Sequence, residues 1–479
     1  MKSSIEKKSN IISNINRGDV FYIVGICGSL IAQLAVALKQ LGFVVSGSDQ
    51  GFYPPASDQL KRNNINVNIG YKSGNIPKGA KYILIGTAIG KNNPEYIDAI
   101  NNFKDKSKIY YGFAGVLEDF FLRTNNIVVA GEYAKSTISS FIAYMLDKLG
   151  VNPTYAIGGM PIDLNSGVNF TDSKWGVFEG DEYVESKLDS NVRSKFFSYH
   201  PTVLLLTSAN YDHIDIFKTE EEYVSNYLDL IFSMDKEAEL KKTTYKVFLN
   251  MEGENIQKIY NGVKHLKNID ITRIYLSDIL EFGSSFDDYT VFYIRGSEFK
   301  TKLIGKHNIR NLSLGIELLH NVLEGISYEK LNENDNILKF SGMKRRLEII
   351  RNDKFILIDD FGHSPVKAYS SIQAVKDKYN GKKIIAVFEP HSYSFRITGD
   401  ISFPEGFFNG LDEAIIAPVY HTSESDGITS KIAKKLNARY FNDNISLFEF
   451  FKNYDLTDSV VLLLSSGNIG GLRDYLMNI

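Results

Sequence analysis

An α/β fold with largely parallel sheets is what this chain predicts, on three observations. Short β-rich runs alternate with stretches that carry apolar residues at helical spacing, from residue 20 to the end. Runs such as YILIG, at residues 82–86, are apolar throughout, as buried strands are. Small-residue turns follow the runs at 20–25 and 127–130 and lead straight into amphipathic stretches, which is the strand–turn–helix order of such folds.

The first unit opens with VFYIVG at 20–25, the turn GICGSL, and a helix carrying Ile31, Leu34, Ala35, Leu38 and Leu41. A second strand, FVVSG, ends at Ser48 and Asp49, and YILIG follows. A boundary is expected near residue 120. The second unit begins with IVVA at 127–130, and its helix carries Ile138, Phe141, Ile142, Met145, Leu146 and Leu149. Strands are expected at 175–180 and 202–208. From 241 to 302 the pattern is shorter and more β-like, with turns at Gly283 and Gly296, and a helical stretch after Gly305 closes the unit. A third unit starts near residue 326 and carries FILIDD, KIIAVFEP, EAIIAPV and SVVLLLSSG. The expected domains are therefore 1–120, 121–325 and 326–479.

Size and composition agree with this division. At 479 residues the chain is too long for one compact domain. With 43% hydrophobic and 23% charged residues it can bury substantial cores. A net charge of -3 argues against a general nucleic-acid binder. One cysteine, Cys27, excludes an internal disulfide framework and a Cys-rich zinc site. No apolar run reaches transmembrane length, and no signal-peptide core follows Lys7 and Lys8, so a reducing cytoplasm is expected, with no membrane insertion. Oligomeric state is left open.

The richest segment is IVVAGEYAKST, residues 127–137. A strand entering a small-residue turn that ends in Lys-Ser-Thr places backbone N–H groups at a helix start, where polyphosphate binds, and Lys135 adds a point charge. Ser136 is the hydroxyl that would reach Mg²⁺. Two residues disfavour phosphate. Ala134 puts a Cβ on a turn that often needs positive φ, and Glu132 puts a carboxylate near the anion. Read from these residues alone, an ordinary strand-to-helix turn is an equal alternative.

Other clusters sit at strand ends. Gly25 and Gly28 form a glycine turn that can cradle a diphosphate, with Asp49 at a ribose-reading position. Ala32 and Gln33 occupy the third-glycine region, so a dinucleotide fingerprint is not met. Glu179, Asp181 and Glu182 close the strand at 175–180, and Asp212, His213 and Asp215 follow the next. Acids and an imidazole beside a phosphate loop can bind Mg²⁺ directly or through water. Gly305 to Asn311, GKHNIRN, opens a helix on which His307 and Asn308 can fix a base edge; simple capping by Asn308 is the plainer alternative. Arg345 to Glu348 (RRLE) and Asp359 to Pro365 (DDFGHSP) could present a cation and acids to the same nucleotide.

In this order the motifs strongly resemble the Mur ligase family, the ATP-dependent amide-forming enzymes of bacterial peptidoglycan assembly. The resemblance runs over nearly the whole chain, with GKHNIRN, RRLE and DDFGHSP its most specific part. GSDQGFYPP, DEY followed by RSKF, and YDHIDIF look like the recycling branch, which joins UDP-N-acetylmuramate to a cell-wall tripeptide. The L-alanine-adding branch is the closest competitor. The resemblance implies three domains: a Rossmann-like UDP-sugar domain, a central P-loop-type ATPase domain, and a Rossmann-like C-terminal domain that brings the amine. It implies ATP and Mg²⁺, with an acyl phosphate formed on the muramate carboxylate.

Carried over residue by residue, the resemblance gives Lys135, Glu179 and His213 catalytic roles, and Ser136, Glu179 and His213 metal roles. ATP would be met by Gly131, Ala134, Lys135, Ser136, Thr137, His307, Asn308, Asn311, Arg346, Asp359 and Asp360. The UDP moiety would face Gly25, Gly28, Ser48 and Asp49. Ser392 and Arg396 would read the substrates. The chain departs from the family at Glu132, Tyr133 and Ala134 in the loop, at Ser208 and Asn210, and in DDFGHSP. These departures motivate a second expectation, a catalytically weakened UDP-sugar binder acting as a sensor or partner. A plain dehydrogenase is disfavoured by the incomplete glycine fingerprint.

Overall fold

The computed structural model describes residues 16–53, 56–186, 188, 193–211, 216–286, 288–390, 402–419 and 426–479. They pack as two compact units. One holds the described residues up to Leu280 together with Asn311–Asn336; the other holds Glu281–Arg310 and Ile337–Ile479. The expected α/β architecture with largely parallel sheets is the one observed. No helix among the described residues is long and apolar enough to cross a membrane.

The first unit starts with a parallel sheet of β1 (Val20–Val24), β2 (Val44–Asp49), β3 (Asn66–Ile69), β4 (Ala80–Ile85) and β5 (Ile109–Tyr111). Its strand order is β3-β2-β1-β4-β5. Helix α1 (Ser29–Gln40) makes the crossover from β1 to β2. Phe21 to Val24 are fully buried, as both faces of a parallel sheet must be. On one face Phe21, Phe43, Tyr82 and Phe120 pack ring against ring, with centroids 5.4–6.3 Å apart. The order reverses beside β1, so the glycine turn after β1 lies at the switch point, where such sheets bind ligands.

A seven-stranded sheet completes this unit, with the order β12-β11-β10-β6-β9-β7-β8. Its strands are β6 (Asn125–Ala130), β7 (Thr154–Ala156), β8 (Val168–Asn169), β9 (Trp175–Gly180), β10 (Val203–Leu206), β11 (Tyr245–Asn250) and β12 (Ile269–Ile274). β7 and β8 pair antiparallel, while β6 pairs parallel to both its neighbours. Ala130 lies level with Gly180 on one side and Leu206 on the other. That register makes the turns after β6, β9 and β10 leave one sheet edge together. Helix α2 (Lys135–Lys148) follows β6 and buries Ile138, Phe141, Ile142, Met145 and Leu146 against the sheet. The long helix α3 (Glu220–Lys241) turns Tyr223, Tyr227, Leu230 and Ile231 inward. One continuous core joins the two sheets, running from Phe21 through Phe121 to Phe178, Leu204 and Tyr227.

In the second unit, β13 (Leu280–Ser285), β14 (Thr290–Ile294) and β15 (Ser297–Thr301) form a small sheet in which β14 and β15 run antiparallel. The segment that reads as β-like in the sequence therefore packs, from Glu281 onward, with the C-terminal residues. A six-stranded sheet carries β16 (Glu348–Asn352), β17 (Ile356–Asp360), β18 (Lys383–Phe388), β19 (Glu413–Ile416), β20 (Arg439–Tyr440) and β21 (Ser459–Leu464). Its order is β16-β17-β21-β18-β19-β20, parallel except for β16. Apolar cores cover both faces, Ile358, Phe388 and Leu462 on one and Leu357, Val387 and Leu463 on the other.

Candidate functional site

The candidate phosphate loop is built by the register of three strands. β6 ends at Ala130, and Gly131, at φ +118°, starts the turn into α2. Ala134 caps that helix in the left-handed region, φ 64° and ψ 1°. This is the conformation in which a Cβ costs roughly 1–2 kcal/mol and glycine costs none. Lys135 is the first residue of α2, with its side chain largely buried. Its ammonium donates to the Gly131 carbonyl at 2.7 Å and to Glu182 Oε2 at 2.8 Å. Ser136 donates from its hydroxyl to Glu179 Oε1 at 2.8 Å, and Thr137 follows on the same turn.

The acidic strand end separates into three jobs. Glu179, at the end of β9, accepts from Ser136 and from the Gly158 N–H at 2.6 Å. Burial pushes its carboxyl above the usual range, against the opposing pull of Lys135. Asp181 is bound by Lys195 at 2.7 Å; burial opposes its charge, but Lys195 prevails and its pKa is lowered. Glu182 is fully buried and collects Lys135, the Gly131 N–H at 3.1 Å and the Tyr227 hydroxyl at 2.7 Å. Burial also works against the Lys135 charge, yet Glu182 outweighs it and the lysine pKa is raised. From the turn after β10, Thr207 donates to the Tyr133 carbonyl at 2.9 Å, holding the loop from the other side.

Ser136 and Glu179 present two hard oxygen ligands on one spot, which suits Mg²⁺, an ion that commonly takes one or two protein oxygens and fills the rest with water and phosphate. Among the described residues no group of three or more His, Cys, Asp or Glu side chains is arranged for a metal, so these residues alone do not make a closed cage.

The glycine turn is built in the same way. Gly25 sits at φ +85°, and Gly28 caps α1. Asp49, at the end of β2, accepts from the Cys27 N–H and the Gln50 N–H, both at 2.8 Å. Ser48 points elsewhere. It is fully buried and gives its hydroxyl to Glu95, which also accepts from Asn75 at 2.6 Å and the Lys72 N–H at 3.1 Å. Burial and then Asp49 push the Cys27 thiol up to about 11.

In the second unit, His307 and Asn308 open helix α4 (Lys306–Val322), while Asn311, on the next turn, belongs to the first. Asn308 is buried and donates its amide to the Ile304 carbonyl at 2.8 Å, so it serves the helix start. Burial holds the His307 imidazole below its ordinary range, against the pull of Asp360. Asp360 accepts from the Leu347 N–H, the Gly362 N–H and Ser371 at 2.8–2.9 Å. Asp359 is paired with Arg473 at 2.7 Å and Arg345 at 3.4 Å. Arg346 is exposed and lies over the Phe361 ring, 5.4 Å from its centroid. Arg345, with no role expected from the sequence beyond the RRLE run, reaches the carbonyls of Ser465 at 2.6 Å and Gly467 at 2.5 Å.

Lys135, Ser136, Glu179 and Gly131 thus come together, as do Gly25, Gly28 and Asp49. His213, Ser392 and Arg396 lie outside the described residues. Glu182 stands in the acidic cluster that the sequence singles out, three residues after Glu179, yet nothing in the spacing says it pairs with Lys135. Gly158 and Tyr227 carry no local signal. Both reach the site only through sheet register and the inward face of α3. The RSKF segment lines a cavity of about 730 Å³ with Asn226, Phe232 and His265, apart from the phosphate-loop residues.

Comparison with known proteins adds a family. The Mur ligase family catalytic-domain model matches residues 20–104, and the Mur ligase middle-domain model matches residues 129–319. Together they take in more than half of the chain. A UDP-N-acetylmuramate–L-alanine ligase from Lactobacillus delbrueckii subsp. bulgaricus is 26% identical over 86% of this chain and 88% of its own. The UDP-N-acetylmuramate–L-alanyl-γ-D-glutamyl-meso-2,6-diaminoheptandioate ligase of Escherichia coli is 26% identical over 95% and 97%. The crystal structure of the UDP-N-acetylmuramate–alanine ligase from Thermotoga maritima superposes with a TM-score of 0.72 at 21% identity, over 95% and 98% of the two chains.

Proposed function

Because this chain belongs to the Mur ligase family, the ATP-dependent ligases of peptidoglycan synthesis, we propose that it joins UDP-N-acetylmuramate to the tripeptide L-alanyl-γ-D-glutamyl-meso-diaminopimelate during peptidoglycan recycling in the cytoplasm. The convergence of Lys135, Ser136 and Glu179 on one helix N-terminus carries this reading. In it, the UDP-sugar domain is 1–120, the ATP domain 121–325 and the amine-bearing domain 326–479.

The chemistry starts from a carboxylate, which cannot acylate an amine directly because oxide is too poor a leaving group. With ATP as co-substrate, phosphoryl transfer to the muramate carboxylate gives an acyl phosphate; the amine attacks, and phosphate departs from the tetrahedral intermediate. Lys135 and the first N–H groups of α2 bind and orient the polyphosphate. Ser136 and Glu179 would hold Mg²⁺, which when bound neutralises charge on the phosphates. Lys135 donates to Glu182 and to the Gly131 carbonyl, so two of its three ammonium hydrogens are engaged and the third can face a phosphate. His307, Asn311, Arg346, Asp359 and Asp360 are assigned to ATP, and Ser392 and Arg396 to the substrates, on the family resemblance.

Two other readings have observations behind them. L-alanine as acceptor is supported by the Lactobacillus relative, as similar as the tripeptide-adding one. A weakened binder is supported by the strained Ala134 and the internally paired Lys135. A phosphate-release assay with ATP, Mg²⁺ and UDP-N-acetylmuramate separates the three. Release on adding the tripeptide is expected; release with L-alanine alone moves the assignment to the other branch. Background release with both leaves the binder.

A further inference from the structure

Gln33 has no part in the site as described, yet it is almost fully buried and its amide reaches both its own helix and the loop beside Glu179. Its amide nitrogen donates to the Ser29 carbonyl at 3.1 Å, on the first turn of α1, and comes within 3.5 Å of the Gly159 carbonyl. Its amide oxygen accepts from the Gly167 N–H and from the Ser166 hydroxyl, the latter at 3.1 Å. Gly158 and Gly167 are the two feet of one loop between β7 and β8. That loop is closed by the Ile157 N–H on the Gly167 carbonyl at 2.8 Å and by the pairing of Ala156 with Val168.

The same loop supplies a ligand to the metal-side carboxylate, since Gly158 N–H donates to Glu179 Oε2 at 2.6 Å. Neither foot has room for a side chain. A Cβ on Gly158 would lie 2.9 Å from Glu179 Oε2, and one on Gly167 would lie 2.7 Å from Gln33 Oε1. Both distances are below any relaxed contact, so the two bare positions let one amide and one carboxylate close on the loop backbone. At its other end, Gln33 is tied to the turn that begins directly after Gly28, the glycine step assigned to the UDP-sugar.

We propose that Gln33 is a positioning residue that links occupancy of the Gly25–Gly28 turn to the placement of Glu179, so that UDP-sugar and Mg²⁺-nucleotide bind cooperatively. This rests on the functional reading above. A ligand held on the first turn of α1 fixes Ser29; through Gln33 it fixes the 158–167 loop, and through the Gly158 N–H it fixes the carboxylate that faces Ser136. A buried amide is well suited to this because its acceptor and donor are used at once, and the loss of the acceptor leaves the Gly167 N–H without its partner.

Calorimetry on the full chain tests the link, using Mg²⁺ with adenylyl imidodiphosphate as the nucleotide and UDP-N-acetylmuramate as the second ligand. The parent protein should bind the nucleotide at least about fivefold tighter when the UDP-sugar is saturating, and the reverse titration should give the same factor. In Gln33→Ala the factor should fall to about one, with each ligand alone bound as in the parent. Gln33→Glu keeps the acceptor but loses the donor until it is protonated. Its factor should therefore rise toward the parent value as pH falls, which mere packing would not produce. Should Gln33→Ala not fold, Ser166→Ala, which removes one of the two donors to the amide oxygen, should lower the factor about twofold. A factor of one in the parent, or an unchanged factor in Gln33→Ala, overturns the inference while the functional reading stands. A parent chain that binds no UDP-sugar overturns both.

Discussion

The two glycine-type turns of the first unit are built to one plan and reach different states. Each follows a central parallel strand, each leads into a helix, and each gives a backbone N–H to a carboxylate from the end of the neighbouring strand. After β1 the carboxylate is Asp49, which takes Cys27 N–H at 2.8 Å and stays part-exposed. After β6 it is Glu182, which takes Gly131 N–H at 3.1 Å but is fully buried and bound to Lys135. The positive φ is carried by Gly25 alone in the first turn, and by both Gly131 and Ala134 in the second. One turn therefore presents a relaxed, partly solvated cradle; the other holds a strained backbone and a lysine already matched to an internal anion. The same backbone plan thus faces a half-exposed carboxylate in one turn and a buried ion pair in the other, and the side chain opposite the loop makes that difference.

The largest expected effect breaks the ion pair. Lys135→Ala leaves Glu182 buried without its cation and should cost roughly 3–5 kcal/mol in urea unfolding. Adding Glu182→Gln should restore most of the stability but none of the phosphate release, separating fold from chemistry. Equal loss of stability in the single and double variants would show that Lys135 serves packing alone.

Next in size is acid titration of the scaffold beneath the phosphate loop. His200 lies between Glu237 at 3.1 Å and Glu118 at 3.0 Å, and Lys241 joins Glu237 at 2.7 Å. Burial opposes the Glu237 charge, but His200 and Lys241 outweigh it and draw the carboxyl down to about 2. A depressed acid stabilises fully above its unfolded value, about 4.5, and the benefit is lost as pH falls toward 2. Up to about 2–3 kcal/mol should vanish across that window and be absent in Glu237→Gln, whose unfolding free energy should change less with pH.

Smaller is the relief of strain. Ala134→Gly removes a left-handed alanine at the cost of a freer unfolded chain, for a net gain of about 1 kcal/mol. Nucleotide affinity should rise in parallel, and Ala134→Gly raising neither would mean that the left-handed alanine stores no strain in the turn. The smallest structural change expected is in Asp49→Asn. The amide oxygen can still accept the Cys27 N–H, so thermal unfolding should move by less than about 1 kcal/mol. UDP-N-acetylmuramate affinity should drop about tenfold with the charge. Equal stability losses in Lys135→Ala and Asp49→Asn would erase the contrast between the turns.

Both turns were legible before any coordinates, because each is a local event. An apolar strand, a small-residue step and a helical repeat lie within about a dozen residues, and the placement of Lys135, Ser136, Gly25 and Gly28 at the turns follows from their position in it. The doubtful residue was legible too: Ala134 at a step that needs positive φ is a conflict visible in the sequence, and the backbone angle expresses it. Glu179 could be placed at a strand end for the same reason.

Partners at long range could not be read this way. Glu182 rather than Asp181 meets Lys135 because the β9 chain turns after Gly180 and α3 brings Tyr227 over it, a matter of register and helix facing with no sequence period of its own. Likewise Ser48 belongs to Glu95, Arg345 turns to the carbonyls after β21, and Gln33 to a loop more than a hundred residues away. Elements and loops were determined by short-range patterning, which each segment carries alone. Which charge each loop faces was decided by packing, since burial forces every polar group to find a partner and only the folded chain fixes which one lies within reach.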